Sequence, residues 1–457
     1  MTTILSDFKE NVQTHAHIVN FFKRFHVMDA LRISKINKGK GYSLALLVQF
    51  LLGLAFTCKN LYRYLEQVKD EKPFSKNLVY RFLDNPNANW QLFLLKLGSS
   101  IVNDYMSPLT DIDRTNVLIF DDSLYSRNRS KKVELLARVY DHVEHRYVKG
   151  FRMLTAGWSD GASFVPLAFS LLSSTKADNR LYEQGPTVPL ESPGFMRRQE
   201  AILSTTEMVE KLLDQVLEHT RNFSYVLFDS WFSWPTVIKQ IKARQVDVIC
   251  MLKDMKHITY GYNEQKYRLN ELYTILDKTK TKPQSGIIGS ILVDYYGIPA
   301  RVVFVHNRNN KREWLAVLST DITISDEEII RIYGIRWDIE VYFKTCKSLL
   351  GLAKEFQVRS YDAMVAHTTM VCVRYMILSV ENRDNKDDRS CGGIFYDLCA
   401  ETENISFAKA FLLLLTLFVN TLKEKLMLTD DVINDLFDDF LKSVPSSMKK
   451  NLFLNAA

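Results

Sequence analysis

Two short apolar runs in the middle of the chain end in the same way. Val117 to Phe120 and Tyr225 to Phe228 are continuous apolar segments; the first is followed directly by two aspartates and a serine, the second by one aspartate and a serine. Runs of this length are typical of strands buried on both faces of a sheet. Phe151 to Trp158 and Ser163 to Leu171 predict two further strands, joined by a polar turn. The middle of the chain is therefore predicted to form a buried sheet.

Helical patterns and a second block of strands follow. Ser204 and Glu207, like Ser325 and Glu328, are spaced as capping boxes, which mark the starts of helices. The second helical stretch is predicted to run to about residue 350. Between the two stretches, residues 253 to 320 alternate strand-like runs with basic turns. This block predicts a β-rich insertion.

Composition narrows the class of protein. The 457 residues are 47% hydrophobic, which supplies several cores and excludes bulk disorder. The six cysteines form no Cys-x-x-Cys pair and Met1 to Glu10 holds no apolar signal core, so a reduced, cytoplasmic protein is expected. The apolar runs Leu44 to Phe56 and Phe411 to Val419 are shorter than a membrane span. They are predicted to be buried helices, and no membrane partner is expected.

Positive charge is concentrated at one end of the chain. The net charge is +6, and residues 1 to 110 hold 14 lysines and arginines against 8 aspartates and glutamates. The same region is predicted to be helical, with Ser75 as the cap of a short helix that carries Lys76 and Arg81. Compact basic helical modules bind DNA, although an ordinary helical domain with solvated lysines shows the same pattern.

The acids at the two strand ends are candidate metal ligands. Side chains at the carboxyl ends of strands in an open sheet point into the crevice where ligands bind. Asp121 or Asp122 from the first strand and Asp229 from the second could share a divalent ion, and carboxylate oxygens suit Mg²⁺ or Mn²⁺. Because side chains alternate along a strand, only one of the first two aspartates can point at the ion. Each aspartate could instead cap a turn.

A third cluster of polar residues follows the second capping box. On a helix with about 100° per residue, Tyr333, Arg336, Glu340, Lys344 and Lys347 fall within about 80° of one another. Apolar residues occupy the opposite side, which predicts a helix with one buried face. The polar face offers a hydroxyl, a carboxylate and three cations. A solvated face with i,i+4 ion pairs is the simpler interpretation of this pattern alone.

The spacing Tyr-x2-Arg-x3-Glu-x6-Lys within this cluster resembles the signature of bacterial DDE transposases of insertion sequence family four. Tyr333, Arg336, Glu340 and Lys347 match it without a gap or a substitution. The two strands that end in acids resemble the segments around the family's first and second acids. The resemblance covers about residues 40 to 370. It implies a ribonuclease-H-like catalytic core, an α/β fold with a mixed sheet that is flanked by helices and interrupted by a β-rich insertion.

The resemblance also implies which acids are catalytic. Asp122, Asp229 and Glu340 would hold two Mg²⁺ or Mn²⁺ ions, one at the attacking oxygen and one at the leaving oxygen of a phosphoryl displacement. The family places serine or threonine directly after the first acid. This placement favours Asp122 over Asp121, which would then support the site or cap a turn.

The other residues of the signature are implied to bind DNA. Tyr333, Arg336 and Lys347 would hold the 5′ phosphate near the transposon end and support hairpin formation. Lys344 lies on the same predicted face but outside the strict signature. Trp314, in the insertion, would stack a flipped base as a tryptophan does in some family members, or would pack within its strand.

The function implied by the resemblance is cut-and-paste transposition. The protein would bind double-stranded DNA at terminal inverted repeats, cut there through a hairpin intermediate and join the ends to target DNA as a synaptic homodimer in the bacterial nucleoid. A domesticated DNA-binding protein without catalysis, and a ribonuclease-H-like nuclease without strand transfer, remain as alternatives. The implied regions are a helical DNA-binding region (1–110), a catalytic core in two parts (111–252 and 323–400), the β-rich insertion (253–322) and a helical C-terminal region (401–457).

Overall fold

A single mixed sheet of twelve strands organises the protein. The computed structural model describes residues 16–445 except 39–40, 69–73, 142–143, 184, 186, 277–285, 308–309, 311–312, 385–389 and 428. The strands are β1 (Val117–Ser126), β2 (Leu136–Asp141), β3 (Arg146–Ser159), β4 (Phe164–Leu172), β5 (Arg180–Tyr182), β6 (Tyr225–Phe228), β7 (Asp247–Leu252), β8 (Tyr260–Tyr262), β9 (Gln265–Tyr267), β10 (Ile287–Asp294), β11 (Pro299–His306) and β12 (Trp314–Ser319).

The centre of the sheet has the order β4-β3-β1-β6-β7. β1, β6 and β7 run parallel to one another, whereas β3 is antiparallel to β1 and β4 is antiparallel to β3. The apolar runs Val117 to Phe120 and Tyr225 to Phe228 are buried throughout, because both strands lie in the interior of the sheet. This architecture is a ribonuclease-H-like α/β fold, and the predicted fold class is confirmed.

The predicted insertion continues this sheet instead of forming a separate layer. β12 pairs antiparallel with β7, and β11, β10, β8 and β9 follow outward in that order. The strands predicted at 287–296, 300–305 and 314–318 are confirmed as β10, β11 and β12, whereas the strand-like run at 306–312 does not form a strand at residues 307 and 310 and otherwise lies mostly outside the described residues. The division of the chain at residues 253 and 322 stays a prediction, since the hydrogen-bonded ladder runs across it.

Seven helices follow the first strands or separate the later ones, and two of their starts confirm predicted caps. Ser204 and Glu207 form both bonds of a capping box, and the Ser325 side chain accepts a hydrogen bond from the Glu328 backbone N–H at 3.2 Å. These helices are α7 (Pro193–Glu200), α8 (Thr205–Leu217), α9 (Pro235–Ala243), α10 (Leu269–Ile275), α11 (Asp326–Gly334), α12 (Trp337–Ser348) and α13 (Tyr361–Asp384).

The N-terminal region is helical, as predicted, and packs on the core through α13. Residues 361–380 of α13 are buried, and Arg374 within it donates hydrogen bonds to the backbone oxygens of Leu51 and Leu52. Ser75 caps its helix by accepting a hydrogen bond from the Leu78 N–H at 3.2 Å. The helices before the sheet are α1 (Ala16–Arg24), α2 (Val27–Ile33), α3 (Leu44–Gly53), α4 (Leu61–Gln67), α5 (Lys76–Leu83) and α6 (Trp90–Ser100).

The described part of the C-terminal region forms two helices, α14 (Cys391–Leu426) and α15 (Asp430–Ser443). The prediction that Phe411 to Val419 is buried is wrong, since Leu414 is 65% exposed and Phe418 is 60% exposed. The run is apolar enough for a core, but among the described residues α15 reaches only its first residue, where Phe440 stacks on Phe411 with ring centroids 6.4 Å apart.

Within the described ranges, two helices are long and apolar enough to cross a membrane, judged by length and composition. They are Tyr361–Asp384, whose apolar window is 100% buried inside the protein, and Cys391–Lys423, whose window is 12% buried. The bent pair Leu44–Thr57 and Leu61–Gln67 makes a third if it counts as one span.

Candidate active site

Asp121 and Asp229 lie side by side at the centre of the sheet. The parallel pairing of β1 with β6 matches Ile119 with Leu227, so the next positions on the same face bring the two aspartates together. Asp229 directly follows β6, and its carboxylate accepts a hydrogen bond from the backbone N–H of Trp231 at 2.9 Å. The repeated pattern of an apolar run that ends in an acid thus corresponds to two neighbouring carboxylates.

Helix α12 lies against the face of β1 that carries Asp121. Arg336, just before the helix, donates through Nη1 to Asp121 Oδ2 at 2.9 Å, and the same nitrogen lies 3.3 Å from Oε1 of Glu340. Two helical turns after Glu340, Lys347 donates through Nζ to Ser123 Oγ at 2.6 Å. Because Asp121 and Ser123 are two positions apart, they share one face of the strand. The acid and the two cations of this segment therefore line one face of β1.

Asp122 faces the other side of β1. Both of its carboxylate oxygens bind the guanidinium of Arg152 on β3, one of them from Nε at 2.9 Å, and Arg152 also donates to the Tyr140 carbonyl at 3.1 Å. This placement goes against the sequence preference for Asp122 as the first acid. The preference relied on the residue that follows the acid, whereas the alternation of side chains along β1 decides which carboxylate meets Glu340. The geometry favours Asp121.

The candidate acids repel one another in a partly buried site. Burial raises the pKa of Asp121 to about 7, Arg336 opposes this shift, and the charges of Asp229 and Glu340 add to it. Burial also raises the pKa of Asp229, to which the charges of Asp122 and Glu340 contribute. Such crowding of carboxylates is the electrostatic setting that a bound divalent cation relieves.

The candidate ligands Asp121, Asp229 and Glu340 offer only carboxylate oxygens, which are the type of ligand that hard divalent cations prefer. In the part of the chain that the structure describes, no three acidic, histidine or cysteine side chains converge closely enough to hold an ion. Arg336 bridges Asp121 and Glu340 and partly neutralises both. The guanidinium must therefore release Glu340 before all three acids can hold the same cations.

The predicted single helix through the signature is interrupted. α11 ends at Gly334 and α12 begins at Trp337, so Tyr333 and Glu340 belong to different helices. The Arg336 guanidinium carbon lies 6.0 Å from the centre of the Tyr333 ring, which is within cation–π range. The Tyr333 hydroxyl is buried and makes no hydrogen bond of good geometry to any described residue, and burial raises its pKa. The contact of the Tyr333 ring with the Arg336 guanidinium therefore links this residue to the candidate site.

The remaining predicted DNA ligands differ in their surroundings. Lys344 is exposed on α12, next to the face that carries Glu340. Trp314 begins β12, stacks on Tyr273 of α10 with ring centroids 4.8 Å apart, and meets the edge of Phe304 at 5.2 Å. Since Tyr273 covers one face of the indole, packing within the insertion is the interpretation that the geometry favours for Trp314.

Two other tryptophans at the site are exposed. The sequence suggests that Trp231 and Trp337, each close to an acid, are packing residues, but they are 58% and 64% exposed. Lys253 lies 5.7 Å from the centre of the Trp231 ring. Tryptophan is highly buried on average, so the two exposed indoles leave an unusual amount of flat apolar surface open to solvent beside the acids. The sequence signal was their position directly around the acids.

Two protein-family models match the chain. Residues 39–257 match the family model described as DDE superfamily endonuclease, and residues 201–377 match the model described as Transposase DDE domain. No curated protein sequence matches the chain. A cryo-EM structure of the piggyBac transposase synaptic complex with hairpin DNA aligns with a TM-score of 0.44 and 12% identity, over 96% of this chain and 90% of that chain. The two overlapping family matches contain every candidate site residue, and the chain therefore carries DDE superfamily endonuclease and transposase DDE domains.

Proposed function

We propose that this protein is a cut-and-paste DNA transposase of the insertion sequence family four type. The observation that carries the proposal is the placement of Asp121, Asp229 and Glu340 on one side of β1, where Arg336 bridges Asp121 and Glu340 and Lys347 lies beside them. The DDE endonuclease and transposase domains support a reaction on DNA phosphates.

Asp121, Asp229 and Glu340 would hold two Mg²⁺ or Mn²⁺ ions. When bound, such ions activate the attacking oxygen and stabilise the leaving oxygen of a phosphoryl displacement. Asp122 has a different task in this proposal. By binding Arg152 through both oxygens, it locks β1 to β3 and so fixes the direction in which Asp121 points.

Arg336 and Lys347 would bind the phosphates of the cleaved strand. A guanidinium can bind two phosphate oxygens at once, so Arg336 would exchange its contact with Glu340 for a phosphate when DNA enters. Burial lowers the pKa of Lys347, and a nearby phosphate would favour its charged form again. Tyr333 would hold the guanidinium in place from the other side, and the exposed Lys344 would add a more distant charge.

Hairpin formation requires that bases leave the stack, and displaced bases need a flat partner. The exposed rings of Trp231 and Trp337 suit this task better than Trp314, whose indole is covered by Tyr273. A synaptic homodimer completes the proposal, and the exposed apolar side of α14 is a surface that such an assembly could bury.

The test is a cleavage assay with a duplex that carries the inverted repeats flanking the gene, incubated with purified protein and Mg²⁺ or Mn²⁺. The expected products are a nick, a hairpin end and then a joint with target plasmid, resolved on denaturing and native gels. Glu340→Gln is the matched control, and cleavage by this variant at the wild-type rate would contradict the assignment. Cleavage without joining to the target plasmid would favour a ribonuclease-H-like nuclease without strand transfer. Binding of the duplex without cleavage would favour a domesticated DNA-binding protein.

A further inference from the structure

A basic groove extends away from the candidate active site. The loop that follows β1 and the loop between α12 and α13 face each other across a cleft of about 1070 Å³. Two contacts join the loops: Arg127 Nη1 donates to the Ala353 carbonyl at 3.4 Å, and the Glu134 N–H donates to the Arg359 carbonyl at 2.9 Å. The two walls of the cleft are thus joined by contacts within the protein.

The described lining of this groove contains basic side chains and no acidic side chain that would neutralise them. The side chains of Arg129, Lys131 and Lys132 are exposed and have no acidic partner in the described ranges. Cations held together without counter-charges repel one another, so the arrangement is stabilised by a polyanion. The basic side chains contributed by the two loops are Arg127, Arg129, Lys131, Lys132, Lys354 and Arg359.

The groove begins at the catalytic centre. Lys347, whose Nζ donates to Ser123 at 2.6 Å, lines the groove as well as the candidate site. Ser123 is two positions from Asp121 on the same face of β1. Lys354 continues the line by donating to the Lys347 carbonyl at 3.1 Å. A strand whose phosphate is held at Lys347 is therefore led into the groove.

The N-terminal helices border the groove on two sides. Lys347 and Lys354 also line a smaller cleft together with Lys59 and Arg63 near the start of α4, and the one acid in that lining, Glu355, is paired with Arg374. Lys132 and Arg359 line another cleft together with Lys76 at the start of α5; its lining also includes Asp84 and Glu134, and Glu134 is paired with Arg198. Basic residues of the N-terminal helices therefore lie next to the groove, where these helices meet the catalytic core.

We propose that this groove holds the sugar–phosphate backbone of the duplex DNA that leaves the active site, and that the N-terminal helices and the catalytic core clamp the same DNA molecule. The inference rests on the proposed function for the identity of the polyanion. An acidic protein surface would match the charge, but it would not explain why the line of cations starts at a phosphate-binding lysine next to the acids. Each lysine that contacts a phosphate releases a counterion, which makes binding depend on salt.

The first test measures the binding of the full-length protein to a fluorescein-labelled, random-sequence duplex in EDTA over a series of salt concentrations. Lys131→Ala/Lys132→Ala should make the negative slope of log K against log salt shallower by about 0.9 for each lost contact. For the pair, the loss of affinity between 50 and 200 mM salt should therefore be about tenfold smaller than for wild type. Lys176→Ala/Lys239→Ala removes two exposed lysines outside the groove and is the matched control. An unchanged slope for the groove pair would overturn the proposal.

The second test is the protection of lysines against acetylation by an N-hydroxysuccinimide ester, read by mass spectrometry with and without the duplex. Lys59, Lys131 and Lys354 should be protected, whereas Lys176 and Lys239 should react equally in both samples. Protection of Lys131 without protection of Lys59 would refute the joint clamp. Both tests omit divalent ions, so they remain valid if the protein cleaves no DNA, and cleavage with an unchanged salt slope would refute the groove alone.

Discussion

Asp121→Asn and Asp122→Asn are a matched pair of isosteric changes one position apart, and we expect them to change stability in opposite directions. The pKa of Asp121 rises from 3.8 to about 7 on folding, which costs the native state about 4 kcal/mol at pH 8 without metal. Because the native protein binds this proton more tightly than the unfolded chain, wild-type stability falls as the pH rises from about 4 to about 7. Asp121→Asn removes that cost, so the variant should be more stable than wild type at pH 8, and the difference should close towards pH 4.

Asp122→Asn should instead destabilise the protein by about 1 to 3 kcal/mol, because it leaves the largely buried Arg152 guanidinium without its carboxylate. Urea unfolding at pH 8 and pH 5, followed by circular dichroism, measures both effects. Thermal melts with and without MgCl₂ add a second readout, since Asp122→Asn should keep the stabilisation by Mg²⁺ and Asp121→Asn should lose it. If Asp121→Asn destabilises the protein at pH 8, or if Asp122→Asn alone loses the response to Mg²⁺, the assignment of the first acid is wrong.

Three further predictions concern the surroundings of the site. Glu340→Gln should abolish cleavage while changing the free energy of unfolding by less than about 1 kcal/mol, since this side chain is 42% exposed; gel assays and urea melts compare the two effects. Trp314→Ala should destabilise the insertion by about 2 to 4 kcal/mol in urea melts, because its ring is packed on neighbouring aromatics, whereas Trp231→Ala should leave stability unchanged and reduce the yield of hairpin product. The reverse pattern would reassign the base-stacking ring. Leu414→Glu/Phe418→Glu should reduce self-association in sedimentation velocity if the exposed side of α14 is a dimer surface, and unchanged sedimentation would exclude this surface.

The sequence predicted local structure well where neighbouring residues decide it. The apolar runs that end in Asp121 and Asp229 are strands of the central sheet, and the capping box at Ser204 begins a helix. Such features depend on burial of a short segment and on bonds within one turn, both of which the chain order specifies. The break between α11 and α12 lacked such a local signal, and the helix through the signature was therefore predicted to be continuous.

Packing between distant segments decided the rest. In the sequence, Arg197 and Arg198 suggest a solvated loop or contacts with DNA phosphates, yet both lie in α7, where Arg197 is 1% exposed and Arg198 binds Glu134 and Asp362. Their burial depends on acids more than 60 residues away along the chain, which no local pattern reveals.

The sequence by itself determined the order of the elements, the identity of three candidate acids within one position, and the residues of the Tyr-Arg-Glu-Lys signature. Only the tertiary structure decided that Asp121 faces Glu340 while Asp122 faces Arg152, because adjacent residues of a strand point to opposite faces and the partner of each face comes from another part of the chain. It also decided which tryptophans are exposed, and it brought the basic loops and the N-terminal helices to one groove. Exposure and charge density are properties of a surface, and a surface exists only after the chain has folded.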